Sequence, residues 1–100
     1  MIETYVQEFL AVATYLIQHD KGRIKNNVLI VEKSLVCQLL DRNMYEPADS
    51  KLAVWRGLRW IHTEPNRFTK RVMVNGIIMA NMIQIDLIVF ETLEKLVKNY

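Results

Sequence analysis

The sequence predicts an α+β fold in the order helix, strand, helix, helix, hairpin, helix, around a small three-stranded antiparallel sheet. Three observations carry that expectation. Apolar residues recur at helical spacing near both ends and twice in the middle, over residues 2–19, 32–42, 49–57 and 86–100. Val28-Leu-Ile-Val31 is a short, wholly apolar run of strand length. Two β-rich runs meet at Asn75-Gly76, a pair that tolerates the positive φ at both central positions of a type I′ turn.

The first helix sets Ile2, Tyr5, Val6, Phe9, Ala13, Leu16 and Ile17 on one side. It stops at Asp20-Lys21-Gly22, where the glycine is expected to supply the C-terminal turn. Arg23 to Asn27 reads as a polar, basic loop leading into the Val28–Val31 strand. The second helix, residues 32–42, turns Leu35, Val36, Leu39 and Leu40 inward. Turn chemistry with Pro47 fills residues 43–48, and Asp49 or Ser50 caps a third helix reaching about Gly57. Leu52, Trp55 and Leu58 share its inner face, and Trp60-Ile61 returns the chain to the core. Residues 62–66 form a polar corner. Asp86 caps the last helix, whose inward stripe is Val89, Phe90, Leu93, Leu96, Val97 and Tyr100.

A two-residue loop at Asn75-Gly76 fixes the hairpin register, with Val74 facing Ile77, Val72 facing Met79 and Phe68 facing Ile83. One face is then mostly apolar. The other carries Arg67, Thr69, Arg71 and Met73 across from Ile78, Ala80, Met82 and Gln84. The tip residues Met73, Val74, Ile77, Ile78 and Met79 are too apolar for free solvation and are expected to pack against something.

One hundred residues with 51% hydrophobic content make one domain, residues 1–100, with a core large enough to fold. A domain of this size gains from a partner subunit, so a homodimer is expected, through the first and last helices or the hairpin tip. No apolar run approaches the roughly 18 residues of a membrane span, and the N-terminal segment is acidic rather than signal-like. The single cysteine, Cys37, excludes an internal disulfide and suits a reducing, cytoplasmic setting. The net charge is only +2, yet residues 21–76 hold 11 Lys and Arg against 5 Asp and Glu, while residues 1–20 hold three acids and no Lys or Arg. That distribution suits a central part that meets phosphate and ends that meet protein or water.

The run Lys51-Leu-Ala-Val-Trp-Arg-Gly-Leu-Arg-Trp-Ile61, the polar corner, and Arg67-Phe-Thr-Lys-Arg-Val72 together resemble the winged helix-turn-helix family. The resemblance covers residues 24–85 and leaves residues 1–20 and 86–100 as flanking helices. More loosely, the chain resembles the small winged-helix accessory proteins of conjugative-plasmid relaxosomes, which bind origin-of-transfer DNA as dimers. The resemblance implies sequence-selective binding of double-stranded DNA by a recognition helix and a basic β-hairpin wing. The role would be that of a transcription regulator or of an accessory factor on plasmid or phage DNA, with other proteins of a DNA-processing complex as further partners. Mapped onto this sequence, the contacts fall on Lys33, on Ser50, Lys51 and Arg56 of the third helix, and on Arg67, Thr69, Lys70, Arg71 and Asn75 of the wing.

Two features depart from that family's pattern. The connection over residues 43–48 exceeds the three-to-four-residue turn of a simple helix-turn-helix. The third helix also offers few long donors for base edges, Arg56 being the best placed. No catalytic constellation is visible. His19, His62 and Cys37 fall on separate elements without metal-ligand spacing, and the three glycines form no phosphate loop. The expectation is a non-enzyme without a cofactor. The alternative to DNA binding is a winged-helix module that binds protein.

Overall fold

The computed structural model describes residues 2–74, 76 and 78–98, with the side chains of Val74, Ile78 and Met79 left aside. Asn75, Ile77 and Tyr100, which carry part of the expected turn, wing tip and last helix, lie outside the described residues. The architecture is α+β, with four helices and an antiparallel sheet. In chain order the elements are α1 (Ile2–Gln18), β1 (Arg23–Lys25), β2 (Val28–Glu32), α2 (Lys33–Leu40), α3 (Ala48–Gly57), β3 (Ile61–His62), β4 (Lys70–Val74), β5 (Ile78–Asp86) and α4 (Leu87–Lys98).

The sheet has five strands rather than three, because Arg23–Lys25, expected as a loop, and Ile61–His62, where the chain returns to the core and enters the polar corner, both join it. Arg23–Lys25 forms β1, paired to β2 with Lys25 opposite Val28. Asn26 and Asn27 make the two-residue connection, both at positive φ, 53° and 63°. This is the conformation of a type I′ turn, and asparagine tolerates it better than other residues with a side chain. Upstream, α1 ends with Asp20, not glycine, in the left-handed region at φ 53°. The Lys21 amide closes the turn on the Leu16 carbonyl at 2.9 Å. Gly22 serves another purpose. A Cβ there would stand 2.8 Å from the Ile30 carbonyl oxygen and 2.9 Å from Leu29 Cδ1, so only glycine lets the chain run this close to β2.

The long strand β5 organises the sheet. Residues 82–86 pair with β2 on one edge, while residues 84–85 pair with β3 and residues 78–82 with β4 on the other. The hairpin register differs by one residue from the expected one. Val74 lies opposite Ile78, Val72 opposite Ala80 and Lys70 opposite Met82. Because side chains alternate along a strand, this shift exchanges the β5 partners of each β4 face. Leu29, Val31, Ile61, Ile83 and Ile85 form the core face, all essentially inaccessible to solvent. Ile30, Val72, Ala80 and Met82 lie on the opposite face, and Ile30 is buried there without joining the main core.

The helices cover the core face. Phe9, Val12, Ala13 and Leu16 of α1 meet Val36 and Leu40 of α2, Leu52 and Trp55 of α3, and Leu87 and Phe90 of α4 in one cluster. Phe9 touches both tryptophans, edge-on to Trp55 at 5.1 Å and tilted against Trp60 at 5.0 Å between ring centroids. Both are buried, as expected. Leu58 is not, because α3 has ended and Arg59 at φ 61° turns the chain away. Asp86 caps α4 as expected, its Oδ1 accepting from the amides of Ile88 and Val89 at 2.9 and 3.0 Å. The end of α4 outruns the body, so Leu96 and Val97 of its expected inward stripe stand about half exposed. No described helix is long and apolar enough to cross a membrane.

Candidate nucleic-acid interface

Strand β2 passes into α2 without a loop, which puts Lys33 at the rim of the sheet on the first residue of that helix. Arg56 lies in the last turn of α3. Both reach the same ring. The Lys33 ammonium is 5.6 Å from the Phe68 centroid and the Arg56 guanidinium 5.0 Å, within the range of cation–π attraction. Phe68 is half-buried against the core and holds two cations from two helices beside the entry to β4. The sequence places Phe68 on the apolar side of the hairpin and gives no sign of this bridging role.

The segment leading into β4 is held by Glu64. Its amide donates to the Thr69 carbonyl at 3.0 Å, and its carbonyl accepts from the Arg67 amide at 3.1 Å. Its carboxylate accepts from the Arg71 amide at 2.8 Å and lies 3.4 Å from Arg71 Nε. The Arg71 amide, helped by the nearby positive charge of Arg71 and Arg67, holds the Glu64 carboxyl below the usual range. Arg67 and Lys70 remain exposed. Lys70 and Arg71, consecutive in β4, leave opposite faces of the wing: Lys70 shares its face with Met82 and Arg71 with Asn81.

Two expected contacts are corrected by burial. Thr69 is 7% exposed, because alternation from Arg71 turns it toward the Ile83 side of the sheet. It cannot join Arg67 in an outward row. Lys51 is fully buried. Its Nζ lies 3.0 Å from Glu8 Oε2 and donates to the carbonyl of Leu40 at 2.6 Å and to that of Asn43. Glu8 shares the inner face of α1 with Val12 and Leu16, and it also accepts from the Tyr45 hydroxyl at 2.6 Å and from Asn43 Nδ2 at 3.1 Å. Burial and the Glu8 carboxylate push the Tyr45 hydroxyl well above its ordinary value. This network ties the α2–α3 connection to α1. It explains how a connection of that length stays ordered.

Ser50 is exposed, but it lies in the first turn of α3 beside Asp49, about 9 Å along the helix from Arg56. Asn75 lies outside the described residues. The fold therefore gathers Lys33 and Arg56 around Phe68 at the start of the wing strand, and does not bring Ser50 or Lys51 to them. Because the segment expected as a basic loop is strand β1, a further basic row appears. Arg23 and Lys25, with Lys21 in step before them, alternate along the sheet edge and are all exposed.

The remaining reactive side chains stand apart. His62 pairs with Asp86 at 3.1 Å, and His19 lies against Tyr15. Burial pushes the half-buried Cys37 thiol up. Among the described residues no group of three or more His, Cys, Asp or Glu could hold a metal ion. No protein-family model matches the chain, and no curated protein matches it either.

Proposed function

We propose that the chain is a winged-helix protein that binds double-stranded DNA with sequence selectivity. The convergence of Lys33 and Arg56 on Phe68, next to the basic entry of the β4–β5 wing, is the observation that carries this reading. The element order also supports it, with α2 and α3 as the helix-turn-helix pair and β4–β5 as the wing. Contact falls on the C-terminal half of α3, since Asp49 at its N-terminal turn repels phosphate. Arg56 reads a base edge, a contact worth about 1–3 kcal/mol of discrimination when bidentate. Lys33, Arg67 and Lys70 hold the backbone. In the cell this suits a transcription regulator or an accessory factor on plasmid or phage DNA, including a relaxosome component at an origin of transfer.

Selection of bound duplexes from a random pool, followed by titration of the enriched site at two salt concentrations, tests the proposal. An enriched site whose affinity falls with salt supports it, because phosphate contacts release counterions. A pool that never enriches overturns it. That outcome would favour the second reading, a winged-helix module that binds protein, which the half-exposed Ile88, Leu96 and Val97 of α4 support.

A further inference from the structure

The outer face of the sheet carries a hollow of about 360 Å³, with Ile30, Val72 and Met82 as its apolar floor. Lys21 and Arg23 stand on its β1 side, where Lys25 continues their row, and Glu32 lines its α2 side. No described carboxylate lies within ion-pair distance of these three cations. Cations along an edge strand discourage the addition of another strand, so what this face offers is side-chain contact.

The complementary shape is on the same chain. The α2–α3 connection projects Met44, which is 91% exposed, and Tyr45 beside it. Asp41, Glu46 and Asp49 flank them. A second hollow, about 520 Å³, opens between Met44, Tyr45 and Pro47, edged by Asp41 and Glu46. A protruding apolar side chain inside an acidic rim thus answers an apolar hollow flanked along β1 by a basic row, with Glu32 the one carboxylate in its described lining. A molecule does not fill its own groove. The groove reaches Leu35 at the start of α2, the knob follows the end of α2, and the helix between them is eight residues, or about 12 Å, long. The buried Lys51–Glu8 pair fixes the knob's base, so little ordering remains to be done on contact.

We infer that the occupant of the groove is a second copy of this chain, bound head to tail: Met44 of one copy enters the Ile30–Val72–Met82 hollow of the next. Asp41, Glu46 and Asp49 then face Lys21, Arg23 and Lys25. A hollow of that size falls within the range of about 300–1,000 Å³ that holds whole small ligands, so it has volume enough for one methionine side chain. Such a contact is heterologous and leaves a free knob and a free groove at the ends, which permits growth into a row of copies. It uses neither the helix faces nor the wing tip from which the sequence predicts a dimer, and it does not depend on DNA binding.

Sedimentation velocity of the full chain over a concentration series, at low and high salt, tests the inference with Met44→Asp and Arg23→Glu. The wild type is expected to gain mass with concentration at low salt and to lose that gain at high salt, where charge contacts are screened. Each variant alone is expected to stop growing, the first lacking a knob and the second a groove. An equal mixture is expected to associate again, because the intact knob of Arg23→Glu fits the intact groove of Met44→Asp. That recovery also shows that both variants are folded. A wild type that gains no mass overturns the inference. So do single variants that grow like the wild type, or a mixture that stays as small as its parts.

Discussion

Lys51 Nζ and Glu8 Oε2 lie 3.0 Å apart across 43 positions of sequence, with side-chain exposures of 0% and 4%. The pair joins α3 to α1, and the same ammonium reaches the last carbonyl of α2. Removing one partner strands a buried charge, which costs about 3–5 kcal/mol, whereas removing both can be nearly neutral. Lys51→Met and Glu8→Leu are each expected to destabilise by that amount. The double variant is expected to lose much less than the sum, as read in a urea-denaturation double-mutant cycle.

Trp60 presses on Phe9, which also meets Trp55. Trp60→Ala is expected to cost about 3–5 kcal/mol, the range for a buried aromatic. In a domain holding about 5–15 kcal/mol in all, this removes between about a fifth and all of the stability and lowers the denaturant midpoint in proportion. Circular dichroism against urea measures it.

Gly22 is required by space, not by backbone angle. A methyl group there meets the backbone oxygen of Ile30, which has no rotamer with which to retreat. Gly22→Ala is expected to cost about 1–3 kcal/mol, as overpacking does. The loss should appear in the urea midpoint and in faster hydrogen exchange of the β1–β2 amides.

Glu64 has a folded-state pKa below its ordinary value, chiefly through the Arg71 amide. A carboxyl lowered in this way adds stability above its unfolded pKa, and that stability is lost as pH falls through the lower folded value. Wild type is therefore expected to exceed Glu64→Gln in stability at neutral pH. The difference should shrink below the usual carboxylate range, as thermal denaturation between neutral and acid pH would record.

Arg56 and Lys33 divide their work under the DNA-binding proposal. Arg56→Ala is expected to reduce the preference for the selected site over a scrambled duplex. Lys33→Ala should weaken both duplexes alike and lower the slope of log affinity against log salt by about 0.9. Ser50→Ala should leave both measures unchanged. Phe68→Leu removes the ring shared by the two cations and should weaken the selected site without removing either charge.

The sequence by itself determined what local periodicity and capping decide. The four helices follow the recurrence of residues such as Phe9, Leu40, Leu52 and Phe90, and Asp86 marks the start of α4 because a carboxylate can accept from the first free amides. Tertiary structure decided the rest. Asn26-Asn27 carries a positive-φ pair where a plain loop was expected, and a three-residue segment becomes a strand only because β2 is there to pair with it. One residue of hairpin register, set by how β4 meets β5, turned Thr69 inward. Lys51 reads as a surface donor until α1 supplies Glu8, a partner 43 residues away that no local pattern can announce. Lys33, Arg56 and Phe68 become one site for the same reason: contacts across the fold depend on packing that no segment contains alone.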